Sequence, residues 1–300
     1  MAEHRSGFVA LVGRPNVGKS TLMNKLVGEK IAITSQKPQT TRNRIMCILN
    51  TANAQMVFWD TPGIHKPQHK LGDYMVKTAL DTLQEVDVVL FVADVTAKRG
   101  AGEDFILNVL REVKCPVVLA LNKIDKLEHK EQLLTVIASF TKDFQFASVV
   151  PVSALQDTDF SGLTQEIEQH LPVGPDYYDE DVLTDQPERV IAAEIVREKI
   201  LQLTQDEVPH SVAVEVVAFK ERDNGMVFIS GNIYVERDSQ KGILIGAKGS
   251  MLKKIGELAR ADIEKLIGTK VFLQLWVKVR ADWRNNLKTL KEFGYKNDRV

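Results

Sequence analysis

Residues 13–20 read Gly13-Arg14-Pro15-Asn16-Val17-Gly18-Lys19-Ser20, and the G-x-x-x-x-G-K-S spacing suits one task, the cradling of a phosphate chain. The glycines let successive backbone N–H groups curl around a phosphate, and a helix opening at Thr21 adds the positive end of its dipole. Lys19 is then expected to reach the β- and γ-phosphate oxygens and to act in catalysis, while the Ser20 hydroxyl ligates Mg²⁺. About a hundred residues later the apolar run 117–121 ends in Asn122-Lys123-Ile124-Asp125. An aspartate in such an N-K-x-D can accept from both the N1–H and the exocyclic amino group of guanine, whereas adenine has no such amino group. The expected ligand is therefore a guanine nucleotide, since sites built on buried hydrogen bonds reject analogues lacking them by about 10⁴-fold or more. Asn122 braces this loop, the Lys123 stem covers the base, and Ser153-Ala154-Leu155 brings a backbone N–H to the guanine O6.

Between these motifs lie the segments expected to sense the γ-phosphate. Residues 55–59 run into Asp60-Thr61-Pro62-Gly63, a D-x-x-G in which Asp60 holds Mg²⁺ through water and the Gly63 N–H meets the γ-phosphate. Upstream, the polar stretch 34–44 contains Thr40-Thr41-Arg42, and Thr41 is taken over Thr40 as the hydroxyl completing the metal shell. Loss of the γ-phosphate would release both segments.

The elements that must position these residues are legible around them. Apolar strand-like runs at 8–12, 55–59, 117–121 and 147–152 each end at a motif, the arrangement of an open α/β sheet that binds ligand at its C-terminal strand ends. Length favours two domains, because 300 residues exceed what one core ordinarily supports. Cys47 and Cys115 are too few and too far apart for a disulfide framework or a C-x-x-C metal site. No apolar run approaches the roughly 20 residues of a membrane span, so a cytoplasmic location is expected.

Charge is unevenly placed. Residues 176–240 carry 6 basic against 15 acidic side chains and residues 241–300 carry 14 against 6, so a basic face for nucleic acid is expected at the C-terminal end. That end also contains Ile245-Gly246-Ala247-Lys248-Gly249 between two helix-like stretches. The second helix shows apolar positions at Leu252, Ile255, Leu258 or Ala259, Ile263 and Leu266. Strand-like runs at 212–219, 227–235 and 271–279 and an opening helix at 188–203 complete the order helix-strand-strand-helix-helix-strand, that of a type II KH module. In such modules a G-x-x-G loop clamps about four nucleotides. Lys248, Lys253 and Lys254 are the expected phosphate contacts; Ile243 and Ile245 either line the base groove or pack in the core. Residues 174–181 lack periodicity and read as linker, Pro187 fits the first turn of the next helix with Asp185 or Gln186 capping, and 283–293 reads as a terminal helix.

Through Gly13-Arg14-Pro15-Asn16, Gln39-Thr40-Thr41-Arg42 and this C-terminal module, the chain resembles the Era family of bacterial GTPases over nearly all its length. The resemblance implies an α/β, Ras-like P-loop GTPase domain (1–173), a linker (174–186) and a smaller α+β type II KH domain (187–300). It implies a monomer that hydrolyses GTP to GDP and phosphate. It further implies binding of the 3′ end of small-subunit ribosomal RNA, a part in small-subunit maturation, and peripheral association with the inner face of the membrane. One residue departs from the Ras pattern: Ile64 follows Gly63 where a water-orienting glutamine would stand. Similar GTPases use an asparagine at the position of Asn16 to hold K⁺ where an arginine finger would sit, so K⁺-stimulated hydrolysis is expected. Two other readings use the same residues: an RNA-binding protein with an unhydrolysed nucleotide, and a membrane-surface GTPase whose basic segment meets anionic lipid.

Overall fold

The computed structural model describes residues 3–129 and 131–296. The chain divides into two compact units, one formed by residues 1–32, 41–67 and 75–185 and the other by 33–40, 68–74 and 186–300.

The first unit runs β1 (Arg5–Val12), α1 (Lys19–Val27), β2 (Ile45–Asn50), β3 (Ala54–Asp60), the part of α2 (Lys70–Thr82) from residue 75 onward, β4 (Val88–Asp94), α3 (Ala101–Leu110), β5 (Val117–Asn122), α4 (Glu131–Thr141), β6 (Ser148–Pro151) and α5 (Ser161–Glu168). The sheet order is β2-β3-β1-β4-β5-β6, parallel except where β2 pairs antiparallel with β3. Val9, Ala10, Leu11 and Val12 are all fully buried, as a continuous apolar run must be when helices cover both faces. Strand alternation divides them: Val9 and Leu11 pack with Leu22, Met23, Leu163 and Ile167, and Ala10 and Val12 with Ala79, Leu83, Ile106, Leu107 and Phe140. Burial on this scale contributes about 1.5–3 kcal/mol per large aliphatic side chain, so the strands are fixed and the loops at their C-terminal ends inherit that rigidity.

Residues 174–185 lie on this unit rather than spanning free. The Ile48 N–H donates to the Leu183 carbonyl at 2.9 Å, the Thr184 hydroxyl donates to the Met46 carbonyl at 2.6 Å, and Gln55 bonds the backbone of Tyr177 and Tyr178. Tyr178 and Val182 pack against Met46, Ile48 and Val57. An extended strap along an edge strand satisfies its backbone without any periodic pattern, which is why composition alone made it look like linker.

The second unit comprises α6 (Glu188–Leu203), α7 (Val208–Ser211), β7 (Ala213–Glu221), β8 (Val227–Val235), α8 (Asp238–Ile245), α9 (Ser250–Ile267), β9 (Val271–Val279) and α10 (Leu287–Glu292). Its sheet is β7-β8-β9, with β7 antiparallel and β9 parallel to β8 and an irregularity between Val216 and Ala218. The core lies on one face of that sheet, where Ile229, Ile233 and Val271 meet Ile195, Ile200, Ile255, Ala259 and Ile263. Of the alternatives on α9, Ala259 is buried and Leu258 is exposed.

Local expectations fail at two helix starts. Pro187 is itself the cap of α6, with no side-chain cap, and its carbonyl accepts the Val190 and Ile191 N–H groups; neither Asp185 nor Gln186 is needed. The expected helix over 283–293 is interrupted at Asn286, whose side chain accepts the Thr289 N–H at 3.1 Å and starts α10 afresh, a competition typical of asparagine. Residues 33–40 belong to the second unit: the Thr34 N–H donates to Glu198 Oε1 at 2.9 Å and Arg197 donates to the Thr40 carbonyl.

Candidate functional site

The first unit gathers its motifs where the parallel strands end. β1 runs into Gly13, whose φ of 157° and close approach to the Val92 carbonyl, 2.3 Å from any added Cβ, exclude a side chain. The loop continues through Asn16, left-handed at φ 65° and exposed, a conformation asparagine tolerates. It closes at Gly18, the cap of α1, with no side-chain cap present. The first-turn N–H groups of α1 are therefore presented to a ligand, the geometry of an anion site. Lys19 is buried and turns its Nζ back over the loop, 3.2 and 3.1 Å from the Gly13 and Arg14 carbonyls. Burial lowers its pKa from 10.5 to about 8, against the opposing pull of Asp60. A phosphate chain would supply the anionic partner that this ammonium lacks. Val17 is buried beneath the loop and Thr21 is half-buried on α1.

Three oxygens converge beside Lys19. The Ser20 Oγ lies 2.9 Å from the Thr41 Oγ1 and donates to Asp60 Oδ2 at 2.6 Å, and Thr41 donates to the same Oδ2 at 3.1 Å. Asp60 is wholly buried and its Oδ1 has no hydrogen-bond partner among the described residues; burial raises its pKa, with Lys19, Ser20 and Thr41 pulling the other way. A buried carboxylate with an unused oxygen beside two hydroxyls is a hard-oxygen donor set that fits Mg²⁺. Thr40 is turned away, its hydroxyl donating to the Lys37 carbonyl at 2.6 Å. Gly63 lies so close to the loop that an added Cβ would stand 2.7 Å from the Pro15 nitrogen, and the Ile64 N–H donates to the Gly13 carbonyl at 3.1 Å. The Ile64 side chain is buried in the core with Val12 and Val95, so it takes no place among the reacting groups.

The two loops expected to meet the base are braced by Asn122. Its Nδ2 donates to the Val17 carbonyl at 2.7 Å, and its Oδ1 accepts the Lys123 and Ala154 N–H groups at 2.8 and 2.9 Å. Asp125 accepts from the Ser153 hydroxyl at 2.5 Å, while Leu155 stands exposed. Lys123, left-handed at φ 70°, reaches the Asn16 carbonyl at 2.7 Å and Asp94 at 2.5 Å. Asp94 was not singled out by motif. Partial burial works against its ionisation, but hydrogen bonds from Lys123 and Thr96 outweigh that and hold it below the usual carboxylate range. Its place at the C-terminal end of β4 was the available signal. Asp157, which accepts the Ser153 N–H at 2.5 Å, carried none.

In the second unit α8 ends at Gly246, whose φ of 69° with ψ 176° is a conformation open to glycine, and Lys248 and Gly249 also have positive φ. A Cβ on Gly246 would lie 2.8 Å from Met251 atoms, whereas Gly249 faces open space. Ala247 and Lys248 are exposed, as are Lys253 and Lys254, and Lys253 is 3.9 Å from Glu257. Ile243 is exposed, Ile245 half-buried, and Leu244 supplies the core residue of this turn. Beyond the loop a groove is lined by Gly249, Leu252, Lys253, Gly256, Glu257, Arg260, Leu273 and Leu275. Its leucines suit bases and Lys253 and Arg260 suit phosphates, with Glu257 set against Lys253. No helix among the described residues is long and apolar enough to cross a membrane.

Fold and site together define a guanine-nucleotide-binding P-loop GTPase joined to a KH module. The family profile described as 50S ribosome-binding GTPase matches residues 8–123, and the KH domain profile matches 207–284. The chain is 50% identical over 296 residues to GTPase Era of Ruminiclostridium cellulolyticum, covering 99% of both, and 54% identical over 295 residues to GTPase Era of Lacticaseibacillus paracasei, covering 98% of both. Two solved structures at 43% identity cover 97% of this chain and 99% of their own. They are a tyrosine-to-alanine variant of Aquifex aeolicus Era bound to GDP·AlF₄⁻, at TM-score 0.93, and Era with MgGDPNP and nucleotides 1506–1542 of 16S ribosomal RNA, at 0.94. The chain belongs to the Era family of GTPases.

Proposed function

We propose that this GTPase binds GTP with Mg²⁺ in the first unit, hydrolyses it, and uses the nucleotide state to set how firmly the second unit holds the 3′ end of small-subunit ribosomal RNA during maturation of the small subunit. One observation carries the coupling. Thr41 sits with Ser20 and Asp60, while residues 33–40, which lead directly into it, are part of the second unit's fold and bonded to Glu198 and Arg197. A change at Thr41 is therefore a change at the end of a segment anchored beside α6. Era's capture with a GTP analogue and a 16S fragment supports the choice of RNA.

In this reading Ser20, Thr41 and Asp60 would hold Mg²⁺, which would supply charge neutralisation to the phosphate chain. Lys19 and the backbone N–H groups of the loop and of Gly63 stabilise the charge that grows on the phosphate oxygens. With Ile64 in the core, no side chain at that position orients water, so intrinsic turnover is slow, on the order of 10⁻⁴ to 10⁻² s⁻¹. The exposed Asn16 carboxamide offers a neutral oxygen of the kind that holds K⁺. Asn122, Lys123 and Asp125, with the Ala154 N–H, recognise guanine; Lys248, Lys253 and Lys254 meet RNA phosphates. The protein acts as a cytoplasmic monomer, and its basic C-terminal end provides any peripheral contact with anionic membrane.

Phosphate release from GTP in KCl and in NaCl at equal ionic strength tests the chemistry. Faster release in KCl, lost in Asn16→Ala, supports the K⁺ role, and equal rates end it. A 3′-end ribosomal oligonucleotide binding no better than a scrambled one would contradict the RNA assignment.

A further inference from the structure

The sheet of the second unit has two faces, and only one is used by the core. Register pairs Lys220 with Phe228 and Phe228 with Phe272, Asn232 with Trp276, and Tyr234 with Lys278, so these side chains share the face opposite Ile229, Ile233 and Val271. At one end Phe293 of the C-terminal segment covers Tyr234, with ring centres 4.5 Å apart. Along β9 the face is open, with Phe272 49% and Trp276 54% exposed, whereas on β8 Asn232 is buried and Phe228 half-buried. Phe228 and Phe272 stack at 5.9 Å, and the Arg222 guanidinium lies over both rings at 4.8 and 5.2 Å. Lys220 and Lys278 are exposed beside them. The carboxylate on this face, Glu215, is turned to the Tyr234 hydroxyl at 2.9 Å.

We propose that this open face is a second single-stranded RNA platform, on which Phe272 and Trp276 stack bases while Lys220, Arg222 and Lys278 meet phosphates. The proposal extends the RNA-binding reading of the G-x-x-G groove and rests on it. Its occupant follows from charge and geometry together. Large aromatic faces interleaved with cations are the composition that sequence-tolerant single-strand binders use, each stacked base being worth about 1–3 kcal/mol. Protein–protein interfaces also favour Phe, Trp and Arg but are depleted in Lys, so the exposed Lys220 and Lys278 beside these rings favour an RNA occupant over a protein partner or a second copy. Topology adds continuity. β9 is one of the two edge strands, and Leu273 and Leu275 line the groove while the alternate residues Phe272 and Trp276 belong to the outer face. A strand leaving the groove needs only to round that edge. Phe272 and Trp276 are about 13 Å apart along β9 at roughly 3.3 Å per residue, room for more than one base.

The test uses the full chain and two RNAs with the same groove sequence, one of about five nucleotides, near the four a G-x-x-G module clamps, and one extended by a run of uridines. The extended RNA should bind at least tenfold tighter, quench tryptophan fluorescence, and photo-crosslink to a peptide containing 271–279. Trp276→Ala and Phe272→Ala, surface changes that spare the fold, should each remove most of that gain and leave the short RNA unaffected. If extension gains nothing, if neither variant alters the gain, or if anionic vesicles rather than RNA lose affinity in Trp276→Ala, the platform is wrong. Gly246→Asp separates the two readings. Failure to weaken the short RNA counts against the groove, whereas the extension gain and its loss in Trp276→Ala report on the platform alone.

Discussion

Asn122 Nδ2 donates to the Val17 carbonyl at 2.7 Å, across 105 residues of sequence. With Oδ1 accepting the Ala154 N–H at 2.9 Å, one buried carboxamide locks the phosphate loop to both base-recognition loops. Asn122→Ala leaves two buried backbone groups, the Val17 carbonyl and the Ala154 N–H, and the half-buried Lys123 N–H short of partners, at about 1–3 kcal/mol for each buried group where no water replaces the bond. Affinity for fluorescent GDP should fall at least about tenfold, with a lowered melting temperature. An unchanged Kd would show the loops to be held by other contacts.

In the proposed reading specificity rests on a different carboxylate. If Asp125 is the acceptor for the guanine N1–H and amino group, Asp125→Asn replaces it with a carboxamide, so preference should move from GTP toward xanthosine triphosphate. Competition binding with the two nucleotides measures this. A variant that stays selective for GTP would contradict the assignment.

Gly63 should separate GTP from GDP. A Cβ there would stand 2.7 Å from the Pro15 nitrogen, pushing the Asp60–Gly63 turn away from the γ-phosphate position and leaving the rest of the loop intact. Gly63→Ala should keep GDP affinity within about threefold and lose at least tenfold toward a GTP analogue, a cost of about 1.4 kcal/mol or more. Equal losses for both nucleotides would mean that the turn serves structure alone.

Cys47 is fully buried, and burial, followed by the carboxylates of Asp60 and Asp185, pushes its thiol far above the ordinary value of 9.0. The folded state keeps that proton where the unfolded chain would release it, so the contribution to stability is complete below about pH 9 and is lost as pH rises beyond. Denaturant titrations from pH 8 to 10.5 should show this decline in the wild type and a shallower one in Cys47→Ala. Alkylation should reach Cys47 only upon unfolding.

Much of this was readable from residue types because strands and motifs coincide. Val9 to Val12 is apolar without interruption since both faces are covered, and a strand end followed by Gly13 or Asn122 admits few interpretations. The choice of Thr41 over Thr40 had no local pattern behind it; geometry separates them, one hydroxyl turned to Asp60 and the other to the Lys37 carbonyl. Other features depended on long-range pairing that no local pattern encodes. The strap over 174–185 is held by Gln55 and by the edge of β2, and Asp94 becomes part of the site only because Lys123 arrives beside it. The stretch 34–44 read only as polar since the partners of Thr34 and Thr40, Glu198 and Arg197, lie some 160 residues away.

Coupling between nucleotide and RNA is tested most directly by one titration: affinity of the full chain for a 3′-end small-subunit ribosomal oligonucleotide with Mg²⁺ and a non-hydrolysable GTP analogue, and again with GDP. The ratio of the two dissociation constants is the coupling free energy. At least fivefold tighter binding with the analogue, abolished by Thr41→Ala, is expected; identical affinities in both nucleotide states would contradict the account.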